Sequence, residues 1–369
     1  MADTWLSALT LSYFRSHQRT ELALDGRPVA IYGPNGAGKT NILEAVSILS
    51  PGRGLRRVAA SDMARRPADL GWKVSAEVHT GGLAHGLVAW SENGAARQVT
   101  VDDKAASQAA LGRLLRVIWL VPVMDRLWVE GADGRRRFLD RLTLGFDPAH
   151  GEAVLTYEKA MRERNRLLKE GVSDPAWYRA LEAQMAESGA RIATARIATV
   201  ARLTSSQDGA VTAFPLADLA LSGPDGTGAS AGDSAELAMA LQASRGADLR
   251  AGRTLVGPHR DDLVAIYAEK GVPARDCSTG EQKALLVSLV LASARALKED
   301  TGLPPLLLLD EVAAHLDAGR RAALYDEICA LGIQAWMTGT GPELFDDLGD
   351  RAQRIEVTDS GEGSLALPA

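Results

Sequence analysis

Cysteine is nearly missing: 369 residues carry two, Cys277 and Cys329. Two thiols cannot build a disulfide framework, and no Cys/His clustering of the metal-binding type accompanies them. Aromatic residues make up 5% of the chain, and its seven tryptophans are scattered rather than set as a stacking platform. No stretch approaches ~18 consecutive apolar residues, the minimum for a membrane span. The opening residues, MADTWLSALTLSYFRSH, lack the basic start and apolar core of a secretory signal. Together these absences point to a reducing cytoplasm.

Net positive charge is also absent. The formal charge is −6, which by itself argues against a nucleic-acid partner, but its distribution is uneven. Residues 1–205 hold 28 Lys and Arg against 22 Asp and Glu, and residues 206–369 hold 13 against 25. The balances of +6 and −12 leave room for a local basic face that binds phosphates.

What is present reads first as short strands and turns. LSALTLSYF and ELALDG have strand patterns, VAIY is a short buried strand, and WKVSAEVHT, GLVAWSE and ARQVTVDD suggest a meander. From about 134 to 205 the spacing turns helical, as in YEKAMRERNRLLKE, with Pro175 in a turn between helices. Strand-like FPLADLALSG follows, then a Gly/Ser/Ala/Asp-rich loop at 222–234. After it come DLVAIYA, a helix over 281–298, PLLLLD, a helix near 319–331, IQAWMTG and RIEV.

VAIY runs into Gly33-Pro34-Asn35-Gly36-Ala37-Gly38-Lys39-Thr40, a full match to G-x-x-x-x-G-K-[ST] between a strand and the helical NILEAVSIL. Such glycines let the backbone wrap phosphate oxygens, and the helix start adds positive partial charge. Lys39 is expected on the β- and γ-phosphates of ATP, with Thr40 offering its hydroxyl to Mg²⁺ and Asn41 following in the helix. A P-loop needs a carboxylate on a neighbouring strand. Leu306-Leu-Leu-Leu-Asp310-Glu311 supplies one, with Asp310 expected to hold Mg²⁺ and Glu311 to act as general base on the attacking water. Thr40 and Asp310 are 270 residues apart. The nucleotide domain is therefore expected from both chain ends, 1–126 and 206–369, around a helical insertion at 127–205.

Residues 277–286, CSTGEQKALL, admit two readings. Ser278 and Glu281 before an apolar run form a capping box. Alternatively, Ser278, Thr279, Gly280, Glu281 and Gln282 are half of a nucleotide site, with a helix start aimed at an anion. The order of P-loop, Ser-x-Gly-x-Gln, apolar strand with Asp310-Glu311, then Leu316-Asp317 is similar to the ABC-type ATPases. In that class the Ser-x-Gly segment reaches the γ-phosphate held by a partner subunit's P-loop, and Asp317 falls at the D-loop.

Further segments narrow the resemblance. Leu11-Ser-Tyr-Phe14-Arg15 resembles the N-terminus of SMC-like repair ATPases, and Gly52-Arg53-Gly54-Leu55-Arg56-Arg57 resembles their arginine loop. Gly134-Arg-Arg-Arg-Phe-Leu-Asp140, Gly257-Pro-His-Arg-Asp-Asp262 and 278–283 look like the RecF family. That resemblance, nearly the whole chain long, implies an α/β ABC-type ATPase head with an inserted helical subdomain. It also implies a slow DNA-dependent ATPase that dimerises around ATP on double-stranded DNA or single-strand/duplex junctions. Partnership with RecR and RecO in loading RecA is implied in the same way. A soluble ATPase subunit of an ABC transporter is the alternative. Two features depart from the ABC pattern: Val121-Pro122-Val-Met-Asp125 lacks a glutamine, and Met337-Thr-Gly-Thr340 stands where a switch histidine is usual, leaving Thr338 or Thr340 as substitutes.

Arg53, Arg56, Arg57, Arg65 and Arg66 put five arginines in fourteen residues, read either as a solvated face or as phosphate contacts, with Arg56 or Arg57 nearest ATP. Arg135, Arg136 and Arg137 either cap a helix or touch DNA. His259 and Arg260 follow a Gly-Pro turn and are candidates for contact with DNA or with the 278–282 segment. Cys277 is expected to be a small packed residue.

Overall fold

A computed structural model describes residues 3–68, 70–92, 94–172, 174–226, 228–230, 232–361 and 363–369. The chain forms two compact units, one from Met1–Asp125, Gly209–Pro215 and Ser278–Ala369, the other from Arg126–Asp208 and Leu216–Cys277.

Among the described residues the first unit holds two six-stranded sheets, with the helices Lys39–Ser47, Gln108–Leu114, Thr279–Thr301 and Ala318–Ala330. One is antiparallel, ordered His17–Ala23, Thr4–Phe14, Trp72–Thr80, Leu83–Ser91, Gln98–Val101 and Lys104–Ala105. Its strands alternate buried and open positions, as Trp72–Thr80 does, because successive side chains face opposite sides of a pleat. The second sheet is ordered Ser364–Pro368, Gln353–Asp359, Val29–Tyr32, Ala335–Gly339, Leu306–Leu309 and Val117–Leu120. Apart from the antiparallel edge pair its neighbours run parallel. VAIY, LLLL and VIWL are buried throughout, as parallel strands covered on both faces are. Leu9, Ile31, Ile42, Val74, Leu308 and Trp336 belong to one apolar core. Each fully buried Leu or Ile contributes about 1.5–3 kcal/mol.

Among the described residues the second unit holds four α-helices and a three-stranded antiparallel sheet. The helices are Ala132–Phe146, His150–Glu170, Pro175–Gln207 and Ser234–Ala251. Asp174 caps the third by accepting from the Ala176 amide at 2.8 Å, with Pro175 in the first turn, where no amide hydrogen is needed. The sheet pairs Asp262–Tyr267 with both Ala217–Ser222 and Val272–Pro273. At its helical core, Arg164 is fully buried against Glu182 at 3.0 Å and Asp248 at 2.7 Å.

Residues 216–277, expected with the nucleotide domain, group instead with the helices. The Arg135 guanidinium is bidentate on Asp262, at 2.8 Å for each bond, and Arg196 donates to the Pro258 carbonyl and to Asp140. The segment also contains the helix Ser234–Ala251, started by the Asp233 carboxylate and ended by Gly252 in the left-handed region. Among the described residues no helix is long and apolar enough to cross a membrane.

Candidate nucleotide site

The strand Val29–Tyr32 ends at Gly33, and the helix Lys39–Ser47 starts after Gly38. Between them the loop turns tightly. Gly33 has φ +148°, and a Cβ there would collide with the Val357 carbonyl of the neighbouring strand. Gly38 has φ +106°, and its Cβ would collide with the hydroxyls of Ser364 and Ser16. Both positions require glycine. Pro34, Asn35 and Gly36 form the exposed crown, Ala37 is buried, and the Ala37 amide closes on the Pro34 carbonyl at 3.2 Å.

Lys39 is buried at the base of the loop. Its ammonium donates to the carbonyls of Gly33 at 2.7 Å and Pro34 at 2.9 Å. Burial lowers its pKa, while Glu311 and Asp310 oppose the shift. Thr40 donates its hydroxyl to Asp310, at 2.9 Å from Oδ1 and 3.2 Å from Oδ2. Parallel pairing explains this meeting: Ala335–Gly339 lies between Val29–Tyr32 and Leu306–Leu309, so the P-loop and Asp310 emerge at the same sheet edge. Asp310 is buried, and Glu311 beside it holds φ +54°, a left-handed conformation that costs roughly 1–2 kcal/mol for a residue with a side chain. Thr338, on the intervening strand, donates to Asp310 Oδ1 at 2.7 Å and accepts from the Glu311 amide at 2.9 Å. A hydroxyl and a carboxylate side by side are hard oxygen donors of the kind Mg²⁺ takes. The loop, its helix start and Lys39 suit a polyphosphate.

Several residues that hold this loop have no motif to announce them. His17 is buried; its Nε2–H donates to the Gly38 carbonyl at 3.1 Å, and its Nδ1 accepts from the Thr20 hydroxyl at 2.8 Å. The carbonyl can only accept, which fixes the tautomer, and burial holds the ring's pKa down. Asn41 donates to the Ser16 hydroxyl at 2.7 Å, and Ser364 donates to the same oxygen at 2.6 Å. Glu44 is fully buried in the P-loop helix, gripped by Arg15 at 2.6 Å and Arg56 at 3.1 Å. The two arginines lie in segments the sequence marks, Leu11–Arg15 and Gly52–Arg57, whereas their partner Glu44 is signalled only as a lone acid on the apolar face of that helix. Arg56 also donates to Asn41 Oδ1 at 3.0 Å, which places it beside the loop. Arg97 donates to the Ile48 carbonyl at 3.0 Å, beyond the helix's last turn, and burial pushes its pKa down to about 10.

The remaining expected residues lie elsewhere in the first unit. Ser278, Thr279 and Gly280 are exposed at the start of the helix Thr279–Thr301, Glu281 is half-buried, and Gln282 is buried. The capping box is complete: the Glu281 amide donates to Ser278 Oγ at 3.4 Å, and the Ser278 amide donates to Glu281 Oε2 at 2.8 Å. Lys283, next along, is buried and pairs with Asp125 at 3.2 Å, tying that helix to the turn that lacks a glutamine. Asp317 is exposed and caps the helix Ala318–Ala330 by accepting from the Arg320 amide at 2.9 Å.

In the second unit, Arg135 and Arg136 are turned inward. Arg135 binds Asp262, and Arg136 donates to the Asp261 carbonyl at 2.9 Å. Arg137 pairs with Asp133, and Arg260 is exposed. His259 accepts from the Tyr157 hydroxyl through Nδ1 at 2.8 Å, and its Nε2–H donates to the Thr254 carbonyl at 3.1 Å. Burial, helped by Arg260 and Arg136, lowers its pKa to about 4. Cys277 is half-buried, its thiol 3.6 Å from the Pro273 carbonyl.

Known proteins resemble this chain over nearly its whole length. The family model described as the RecF/RecN/SMC N terminal domain matches residues 5–362. The chain is 49% identical over 368 residues to the DNA replication and repair protein RecF of Rhizobium etli, covering 96% of this chain and 97% of that one. It is 46% identical over 384 residues to the protein of the same name from Caulobacter vibrioides, covering 99% of each. The solved structure described as the recombination mediator protein RecF-ATP in RecFOR pathway superposes with a TM-score of 0.80 at 23% identity, over the full length of both chains. An Smc head domain from Pyrococcus furiosus, bound to the C-terminal domain of ScpA, gives 0.56 at 16% identity, covering 99% of this chain and 96% of that one. These two structural matches concern the fold alone.

Proposed function

The chain belongs to the RecF family, within the RecF/RecN/SMC N-terminal domain class, and from that premise we propose that it is an ATP-dependent DNA-binding recombination mediator. The observation that carries this reading is the Thr40–Asp310 hydrogen bond, which joins the phosphate loop to a carboxylate strand 270 residues away. Residues 33–41 would wrap the phosphates, with Lys39 on the β- and γ-phosphates and Arg56 alongside. Thr40 and Asp310 would hold Mg²⁺, which offsets phosphate charge when bound. Glu311 would accept a proton from the attacking water. The exposed 278–282 segment and Asp317 would meet ATP on a second copy of the chain, so that ATP favours the dimer by binding it better than the monomer.

The nearby relatives are named as DNA replication and repair proteins over almost their whole length, which favours a DNA substrate over a transporter subunit. Double-stranded DNA or single-strand/duplex junctions would be bound by the ATP dimer and released on slow hydrolysis, with RecR and RecO as partners in RecA loading. The test is DNA binding by the wild type and Lys39→Met, with and without ATP and Mg²⁺, at one fixed salt concentration. ATP should tighten binding by the wild type and leave the variant unchanged. Equal binding in all four conditions contradicts ATP control.

A further inference from the structure

Thr338 is fully buried on the strand that lies between the P-loop strand and the Asp310 strand. Its hydroxyl makes two bonds of opposite sense. It donates to Asp310 Oδ1 at 2.7 Å, the same oxygen that accepts from Thr40 at 2.9 Å, and it accepts from the Glu311 amide at 2.9 Å. A hydroxyl has one hydrogen and two lone pairs, so both bonds can be satisfied together. The bond to Asp310 fixes the rotation of its carboxylate. The bond from Glu311 anchors a main chain held at φ +54°, where a residue with a side chain is strained and persists only if its surroundings impose it. A β-branched residue supports this role, because few χ1 rotamers are open to it and the hydroxyl direction is set by the strand.

We propose that Thr338 is a positioning residue for ATP hydrolysis: through one hydroxyl it orients Asp310 toward the metal and sets the backbone that aims Glu311. It takes the place of a switch histidine in sequence but acts on the two acids rather than on the γ-phosphate. This inference rests on the ATPase reading of the site.

The experiment compares the wild type with Thr338→Val, which keeps the shape and deletes the hydroxyl, and Thr338→Ser, which restores it. Steady-state hydrolysis is measured across Mg²⁺ concentrations, and ATP binding is measured separately with EDTA. Outer partners of metal ligands typically change metal affinity or activity about 10–100-fold. Thr338→Val should therefore lower kcat by about that factor and raise the half-saturating Mg²⁺. ATP affinity in EDTA should stay within about twofold, and Thr338→Ser should recover most of kcat. If Thr338→Val unfolds, Thr338→Cys, which matches Thr338→Ser in shape but offers only a weak S–H donor, must show the same Mg²⁺ and kcat defects. Wild-type kinetics in the hydroxyl-free variant overturn the inference, and so does a Thr338→Ser enzyme as impaired as Thr338→Val. A wild type that neither binds nor hydrolyses ATP overturns the ATPase reading itself, and the role of Thr338 with it.

Discussion

The Thr40 hydroxyl donates to Asp310 at 2.9 Å although the two stand 270 positions apart in the sequence. Three parallel strands bring the pair together, and the pair explains why both chain ends build one sheet. Replacing Asp310 with Asn keeps the volume and removes the charge that a divalent ion needs. Mg²⁺-dependent hydrolysis should fall by about 100-fold or more, several kcal/mol of charge stabilisation, while ATP binding in EDTA persists. Coupled-enzyme assays and equilibrium binding read the two quantities separately. Hydrolysis at the wild-type rate would remove Asp310 from the metal.

Glu311→Gln removes the proton acceptor with little change of shape. Turnover should drop about 10²–10⁴-fold, the range general-base catalysis supplies, and the ATP-bound dimer should outlive that of the wild type. Single-turnover chase experiments followed by light scattering measure both. A variant that turns over normally would assign the base elsewhere.

Ser278 has two roles to separate, because its side chain already caps the helix Thr279–Thr301. Asp is as good a helix cap as Ser, whereas loss of a cap costs about 1 kcal/mol. Ser278→Asp keeps the cap acceptor but loses the hydroxyl bond to Glu281 Oε2 at 2.8 Å, so it should lose no more than about the 1 kcal/mol of a cap yet fail to dimerise with ATP, since it sets a negative charge against phosphate. Monomer ATP affinity should barely change. Dimerisation at wild-type strength would leave the segment as a cap and nothing more.

His259 gives the second unit a pH dependence. Its pKa lies near 4 in the fold against an ordinary 6.5, with burial as the main cause and Arg260 and Arg136 adding to it, while the bond to the Thr254 carbonyl and, less, Asp248 oppose. The unfolded chain takes up the proton first, so the contribution is complete above about pH 6.5 and is lost as pH falls toward 4. The loss is on the order of 2–3 kcal/mol. Denaturant melts at pH 7.5 and 5 should differ for the wild type and differ less for His259→Gln. Identical pH dependence in the two proteins would show that the Tyr157–His259–Thr254 chain does not set it.

Much of the site was legible because its rules are local. Gly33 to Thr40 signals a strand, a phosphate loop and a helix start in one string, and Ser278 with Glu281 signals a cap by spacing alone. The 216–277 segment was not legible, since its place depends on strand pairing and on Arg135–Asp262 and Arg196–Pro258 bonds that span 127 and 62 residues. The helix Ser234–Ala251 could have been read from Asp233 and Gly252 at its ends. His17 and Ser364 could not, because neither belongs to the P-loop's sequence motif. Thr338 was marked only by the missing histidine, and its two bonds depend on which strands are neighbours.

The most direct measurement is the mass of the chain in solution, by light scattering, with no nucleotide, with ATP and Mg²⁺, and with ATP and Mg²⁺ for Lys39→Met. A nucleotide shared between two copies predicts a monomer without ATP, a dimer with it, and a monomer throughout for the variant. A mass indifferent to ATP, at saturating nucleotide and with ATP binding confirmed, would contradict the two-subunit site.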